Sequence, residues 1–233
     1  MVLRRIIRHS FNALDRRLNL RGLVRDGGVD PALLEGDRAI EWSWVISHLG
    51  TSRACRVKVL DFGSVQSVIT MTAARLGHDV TSVDLRAIEY EYPGVTFRRG
   101  DLLRMGLGSG SFDVVVNSST VEHVGLAGRY GAEGDADGDL QAMRELRRVM
   151  KEAGTMLLTI PVGRDAVFEP FHRIYGEERL PRLLAGFQVQ KEEFWKKQPG
   201  SIWIRCSRGE GLEEVGSASC YGLGLFVLRR SGL

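Results

Sequence analysis

The sequence predicts a doubly wound α/β fold: a mostly parallel, seven-stranded sheet with an antiparallel edge strand and an N-terminal helical extension. Three observations lead there. From residue 56 onward, short β-rich runs alternate with segments of helical period. The first of those runs, VKVLDFGSVQS at 57–67, passes directly into a glycine turn. The late runs at 201–206 and 221–229 have no helix between them, so they are expected to pair antiparallel at one edge of the sheet.

The elements follow in chain order. From Val2 to Leu18 apolar residues recur at helical spacing with arginines between them, and residues 1–25 hold seven arginines against the single acid Asp15. That local charge of +6 exceeds the +3 of the whole chain, so the remainder carries about −3. This basic amphipathic helix has three open readings: a dimer or lid element, a membrane-surface helix facing anionic headgroups, or an electrostatic guide for an anionic substrate. RDGGVD breaks it, and Asp30-Pro31 suits a helix start. GDRAIEWSWVISHLG is a further helix, with Asp37 near its start and Gly50 past its end. These helices form an extension over residues 1–50, and a domain follows over 51–233. Its strands are expected at 56–62, 78–85, 94–101, 111–117 and 155–162, and helices at 66–77, 139–154 and, interrupted near Pro181, 176–186. The tail 187–230 supplies more strands.

Composition excludes several classes. With 43% apolar and 26% charged residues the chain is an ordinary soluble globular protein, and a net charge of +3 is too small to argue for nucleic acid. No apolar run approaches the ~20 residues that span a bilayer, and the arginine-bearing N-terminus is a poor secretory signal. Cys55, Cys206 and Cys220 show no CxxC spacing, which fits small core side chains in a reducing cytoplasm.

In a parallel sheet, ligands bind beyond the carboxyl ends of the strands, where strand order reverses. Asp61 and Gly63 end the first strand, Asp84 the second, Asp101 follows the third, and Asn117, Ser118 and Ser119 follow the fourth. A carboxylate after the second strand suits a ribose diol, one after the third an exocyclic amine, and one at the glycine turn an ammonium. Ribose, adenine and an amino-acid ammonium together describe S-adenosylmethionine. NAD would need glycine at 63, 65 and 68, where the chain has Gly63, Val65 and Val68. Valine obstructs the approach of a pyrophosphate to the backbone, and a phosphate-free cofactor tolerates it better.

The stretches VLDFGS, VTSVDLR, RRGDLLRM, SFDVVVNSSTVEHVG and MRELRRVMKEAGTMLLTIPVG resemble the class I S-adenosylmethionine-dependent methyltransferases over about residues 40–230. STVEHVGLAGRYG, DGDLQAM and HRIYGEERL are similar to a bacterial subgroup with unassigned acceptors, some found with surface-polysaccharide genes. Val65 and Ser67 depart from the family, which commonly has glycine there. The resemblance implies a Rossmann-like methyltransferase fold and a crevice made by Asp61, Gly63, Ser64, Val65, Asp84, Leu85, Asp101, Leu102 and Ser118. It also implies transfer of a methyl group to a small-molecule or saccharide acceptor, with oxygen as the leading methylated atom. A non-catalytic binding protein that kept the fold and an NAD(P)-dependent enzyme are the alternatives, and a homodimer and a peripheral membrane contact remain open.

Methyl transfer is a direct displacement, so positioning does most of the work, and a base is needed only if the acceptor loses a proton in the step. Glu122 and His123, just past the fourth strand, are the candidates for that base, or else they orient the loop. Arg129 and Tyr130 are candidate acceptor contacts or plain surface-loop residues, and His172, Arg173 and Tyr175 either line the acceptor pocket or merely pack. Trp42 and Trp44 read as core, and Glu41 on the same helix could reach the mouth of the cofactor crevice. An EF-hand starting at Asp135 would need Gly at 140 and Glu at 146, where both residues are Leu, so calcium is not expected.

Overall fold

The computed structural model describes residues 24–25, 28–29, 37–50, 56–64, 68–87, 91–128, 134–198 and 202–231. Val65, Ser67, Arg129, Tyr130, Cys55 and most of the expected basic helix lie outside them. The chain divides into two compact units, residues 1–39 and 40–233. In the first, β1 (Val24–Arg25) pairs antiparallel with β2 (Gly28–Val29). The last two residues of the expected helical segment are therefore a strand. The Asp26-Gly27 pair between them is hairpin-turn sequence.

The second unit holds the rest. α1 is Arg38–Leu49 and β3 is Lys58–Phe62, followed by α2 (Ile69–Arg75), β4 (Asp79–Asp84) and β5 (Val95–Arg99). β6 (Phe112–Ser118), α3 (Gly138–Val149) and β7 (Met150–Val162) come next. A small hairpin of β8 (Ala166–Phe168) and β9 (His172–Ile174) precedes α4 (Arg179–Leu183). β10 (Phe187–Gln198), β11 (Ile202–Cys206), α5 (Arg208–Glu213) and β12 (Gly222–Arg230) complete the chain.

Among the described residues the main sheet has eight strands in the order β11-β10-β12-β7-β6-β3-β4-β5. β3 to β7 pair parallel, while β12 runs antiparallel to both β7 and β10. The mostly parallel, doubly wound sheet is as the sequence predicts, but it has eight strands rather than seven. The two late runs also do not pair with each other: β12 lies between β7 and β10, and β11 pairs with β10 at the edge. GLGLFVL in β12 is buried along nearly its whole length beside β7, whereas β10 and β11, farther out, are largely exposed or half-exposed.

Neighbouring strand residues feed opposite faces. Val59, Val116 and Leu157 pack with Trp44, Val45 and Leu49 of α1 and Ile69 and Ala73 of α2. Leu60, Val115 and Leu158 pack on the other face with Met143, Leu146 and Val149 of α3 and Leu180 and Leu183 of α4. The helix expected over 139–154 stops at Val149, because Met150 is already paired with Phe112 of β6. α1 lies with the sheet: Trp44 is core, with Trp42 half-buried against it, and the Trp44 indole Nε1 donates to Glu193 Oε1 at 3.1 Å. The cysteine expectation needs correcting, because Cys206 is half-buried and Cys220 is exposed, both as free thiols. Cys220 lies in the loop ahead of β12, where no sheet face covers it.

Candidate functional site

Because β3 to β7 run parallel, their carboxyl ends share one edge. The chain moves outward from β3 to β4 and β5, then returns to β6 on the other side of β3, so strand order reverses between β3 and β6.

At the end of β3 the backbone turns through Gly63 at φ +77°, donating its N–H to Val83 O at 2.8 Å. Glycine is required there twice over: the φ is left-handed, and an added Cβ would collide with the Thr120 side chain. Asp61 is buried on β3, where Thr70 Oγ1 donates to its Oδ2 at 2.5 Å. Burial pushes its pKa up to about 6, opposed by the Thr70 hydrogen bond and reinforced by the negative charge of Asp84. Ser64 is buried, with its hydroxyl bonded to that of Ser82.

Asp84 ends β4, and its Oδ1 accepts the Arg86 N–H at 2.8 Å. Asp101 caps a 3-10 turn, Leu102–Arg104, by accepting the Leu103 N–H at 3.0 Å. Leu102 is buried in the main core, and the exposed apolar side chain of that turn is Leu103, at 37%. Leu85 after β4 is 46% exposed and Val68 ahead of α2 is 42% exposed. Leu85 and Leu103 are therefore presented just past the ends of β4 and β5, near the carboxylates of Asp84 and Asp101, and Val68 at the start of α2.

β6 ends in a buried Asn117-Ser118-Ser119 sequence. Asn117 Oδ1 accepts the Val121 N–H, and its Nδ2 is buried without a hydrogen-bond partner among the described residues. Ser118 Oγ lies 3.3 Å from Thr159 Oγ1. Ser119 sits at φ +44°, rare for a residue with a side chain. The short 3-10 turn Val121–His123 follows. Glu122 is buried, and one of its carboxylate oxygens lies 3.5 Å from His123 Nε2. His123 Nδ1 lies 2.6 Å from Phe171 O on the β8–β9 hairpin; because a carbonyl can only accept, Nδ1 carries the proton.

His172, Arg173 and Tyr175 are packed side chains, the second of the two readings the sequence offers. Arg173 is buried and donates to Val124 O (2.6 Å) and Asp135 O (3.0 Å), which ties down the segment after His123. Tyr175 is buried and donates to Asp139 Oδ2 at 3.0 Å; burial, with the charges of Asp139 and Glu122 behind it, raises its pKa well above 10. His172 is buried, with its ring edge-on to Tyr221 at 4.9 Å. Arg173 and Tyr175 thus shape the loop from beneath, and the exposed side chain of the hairpin tip is Phe171, at 50%. Sequence reasoning missed Thr70, Ser82, Thr120 and Thr159, small hydroxyl residues whose spacing carries no signal. An open groove of ≈ 350 Å³ lies between the β8–β9 hairpin and α4, but its Arg179 and Arg182 are already paired with Asp139 and Asp137.

This arrangement has solved counterparts. The chain superposes with a TM-score of 0.54 and 18% identity on the 1,6-didemethyltoxoflavin-N1-methyltransferase of Burkholderia thailandensis, solved with 1,6-didemethyltoxoflavin and S-adenosylhomocysteine; the match covers 96% of this chain and 90% of that one. The fold is that of the class I S-adenosylmethionine-dependent methyltransferases. Within it, residues 95–212, just over half of the chain, match the family described as "Caenorhabditis protein of unknown function, DUF268", and the chain belongs to that family. It is 31% identical over 124 residues to a Mycolicibacterium smegmatis protein named "Probable S-adenosylmethionine-dependent methyltransferase", a match covering 49% of this chain and 44% of that protein. It is 30% identical over 159 residues to an arsenite methyltransferase of Aquipseudomonas alcaligenes, covering 66% of this chain and 37% of that protein. The chain thus spans less than half the length of these two relatives. Among the described residues no helix is long and apolar enough to cross a membrane.

Proposed function

We propose that this chain binds S-adenosylmethionine and transfers its methyl group to an oxygen of a small-molecule or saccharide acceptor in the cytoplasm. The observation that carries this reading is the convergence of Asp61, the Gly63 turn, Asp84, Asp101 and Ser118 on one sheet edge at the reversal of strand order. The residues fit the cofactor in three respects. Val68, Leu85 and Leu103 offer apolar surface to a purine, with the Asp101 carboxylate at the same strand end for its amine. Asp84 stands where ribose hydroxyls need a charged acceptor. The orphaned Asn117 Nδ2 is a buried donor at the carboxyl end of β6, suited to an acceptor atom that a ligand brings.

When bound, S-adenosylmethionine supplies an electrophilic methyl group on a cationic sulfur. The chain's own work is orientation and proton transfer. With its Nδ1 proton directed at Phe171 O, His123 has Nε2 as the ring nitrogen left to take the acceptor's proton. The Glu122 carboxylate 3.5 Å away stabilises the imidazolium that results. The acceptor enters over the hairpin tip at Phe171, beside His123.

Thermal-shift titration with S-adenosylmethionine, S-adenosylhomocysteine and NAD(H) tests the proposal. A ligand at a hundred times its Kd raises stability by about 2.7 kcal/mol. For a chain of this size that is a rise in Tm of roughly 5–10 °C. The rise is expected with the two adenosyl sulfur compounds and not with NAD(H); a shift with NAD(H) alone would overturn the assignment.

A further inference from the structure

We infer that Glu41, on α1, is a positioning residue of the cofactor crevice, holding the turn after β6 in the shape the bound cofactor requires; this rests on the proposed function. Glu41 is fully buried, and one of its carboxylate oxygens accepts from both Ser119 Oγ and Thr159 Oγ1. It thereby joins a helix that precedes the sheet in sequence to the carboxyl ends of β6 and β7. Its depth is fixed by the rest of α1, because Trp44, Val45 and Leu49 are core residues and the Trp44 indole is tied to Glu193 on β10.

What Glu41 holds is a strained residue. Ser119 has φ +44°, and its N–H donates to Thr159 O at 3.0 Å and Thr159 Oγ1 at 3.2 Å. A side-chain-bearing residue stays in that region only where its surroundings over-determine it, and such residues cluster at ligand sites. The next residue shows why the turn matters. The Thr120 side chain lies against Gly63, the turn at the end of β3, and Thr120 O accepts the His123 N–H at 3.0 Å. Movement of Ser119 therefore carries both the glycine turn and the histidine with it.

The test is calorimetric affinity for S-adenosylhomocysteine, measured beside Tm, for Glu41→Ala, Glu41→Gln, Ser119→Gly and the Glu41→Ala/Ser119→Gly pair. Losing a hydrogen bond to a charged group predicts a weakening of about tenfold for Glu41→Ala and for Ser119→Gly. The pair should also lose only about tenfold, because both changes break one linkage. Glu41→Gln keeps the accepting oxygen and should bind within about threefold of the unaltered chain. Ser119→Gly separates positioning from folding, since glycine is at ease at positive φ, so Tm should hold or rise while affinity falls. Affinities for Glu41→Ala and Ser119→Gly within about twofold of the unaltered chain, or losses that multiply in the pair, overturn the inference. If the unaltered chain itself ignores S-adenosylhomocysteine, the proposed function falls, and this inference with it.

Discussion

Asp139→Ala is expected to cost the fold roughly 3–5 kcal/mol, seen as a fall in Tm of about 10 °C and an earlier urea midpoint. Asp139 is completely buried on α3. It accepts from Arg179 Nε at 2.9 Å and Nη2 at 2.5 Å and from the Tyr175 hydroxyl at 3.0 Å, with Arg173 Nε at 3.9 Å. Removing the carboxylate strands the buried Arg173 guanidinium beside a phenol with no acceptor, in a medium where neither can turn to water. Arg173 and Arg179 also donate to Val124, Asp135 and Ala136 carbonyls, so the segment that leads into α3 should loosen with the fold. A loss below about 1 kcal/mol would show that this hub is not the anchor described.

Asp61→Asn is expected to act in the opposite direction on stability. The folded-state pKa is about 6 against 3.8 for an ordinary aspartate, mainly because burial disfavours the charge. The folded state therefore holds this proton more tightly than the unfolded chain. Below about pH 4 both states are protonated and there is no penalty. Between about pH 4 and 6 the unfolded chain ionises first and stability falls as pH rises; above pH 6 the full cost, about 3 kcal/mol, is present. Asparagine removes that cost. Urea unfolding at pH 7.5 should show Asp61→Asn more stable than the unaltered chain by up to about 3 kcal/mol, with the difference vanishing near pH 4. Affinity for a cationic sulfonium ligand should drop in the same variant, because the buried charge is lost. A variant less stable at pH 7.5 would mean that the ionised carboxylate contributes to folding rather than to the site.

Much of this was legible in the sequence, and for identifiable reasons. The β-rich runs at 56–62, 78–85, 94–101 and 111–117 became β3 to β6 because each is a β-branched segment closed by glycine, aspartate or asparagine, and their parallel pairing put Asp61, Asp84, Asp101 and Ser118 on one edge. Glu41 was visible only as a residue on the Trp44 helix that could reach the crevice; its partners Ser119 and Thr159 lie 78 and 118 residues away in sequence, and no local pattern points to them. The order of the last three strands was harder. Nothing local says that β12 enters between β7 and β10: its apolar run suits burial beside β7, but β10, also interior, is polar and largely exposed or half-exposed. For Arg173 and Tyr175 the sequence leaves acceptor contact and packing open, because they are polar and follow a strand. Their partners Val124, Asp135 and Asp139 are far away in sequence, and no spacing rule reaches them.

In the proposed function Asp84 is the charged partner of a ribose in the crevice. Hydrogen bonds to a charged group contribute about 1.5–3 kcal/mol each, so loss of this acceptor should weaken binding about a hundredfold. Isothermal titration of the unaltered chain with S-adenosylhomocysteine should give saturable one-to-one binding, and Asp84→Ala should lose it by that factor with its fold intact. Equal affinity in the two proteins, or no binding by the unaltered chain, would contradict the account.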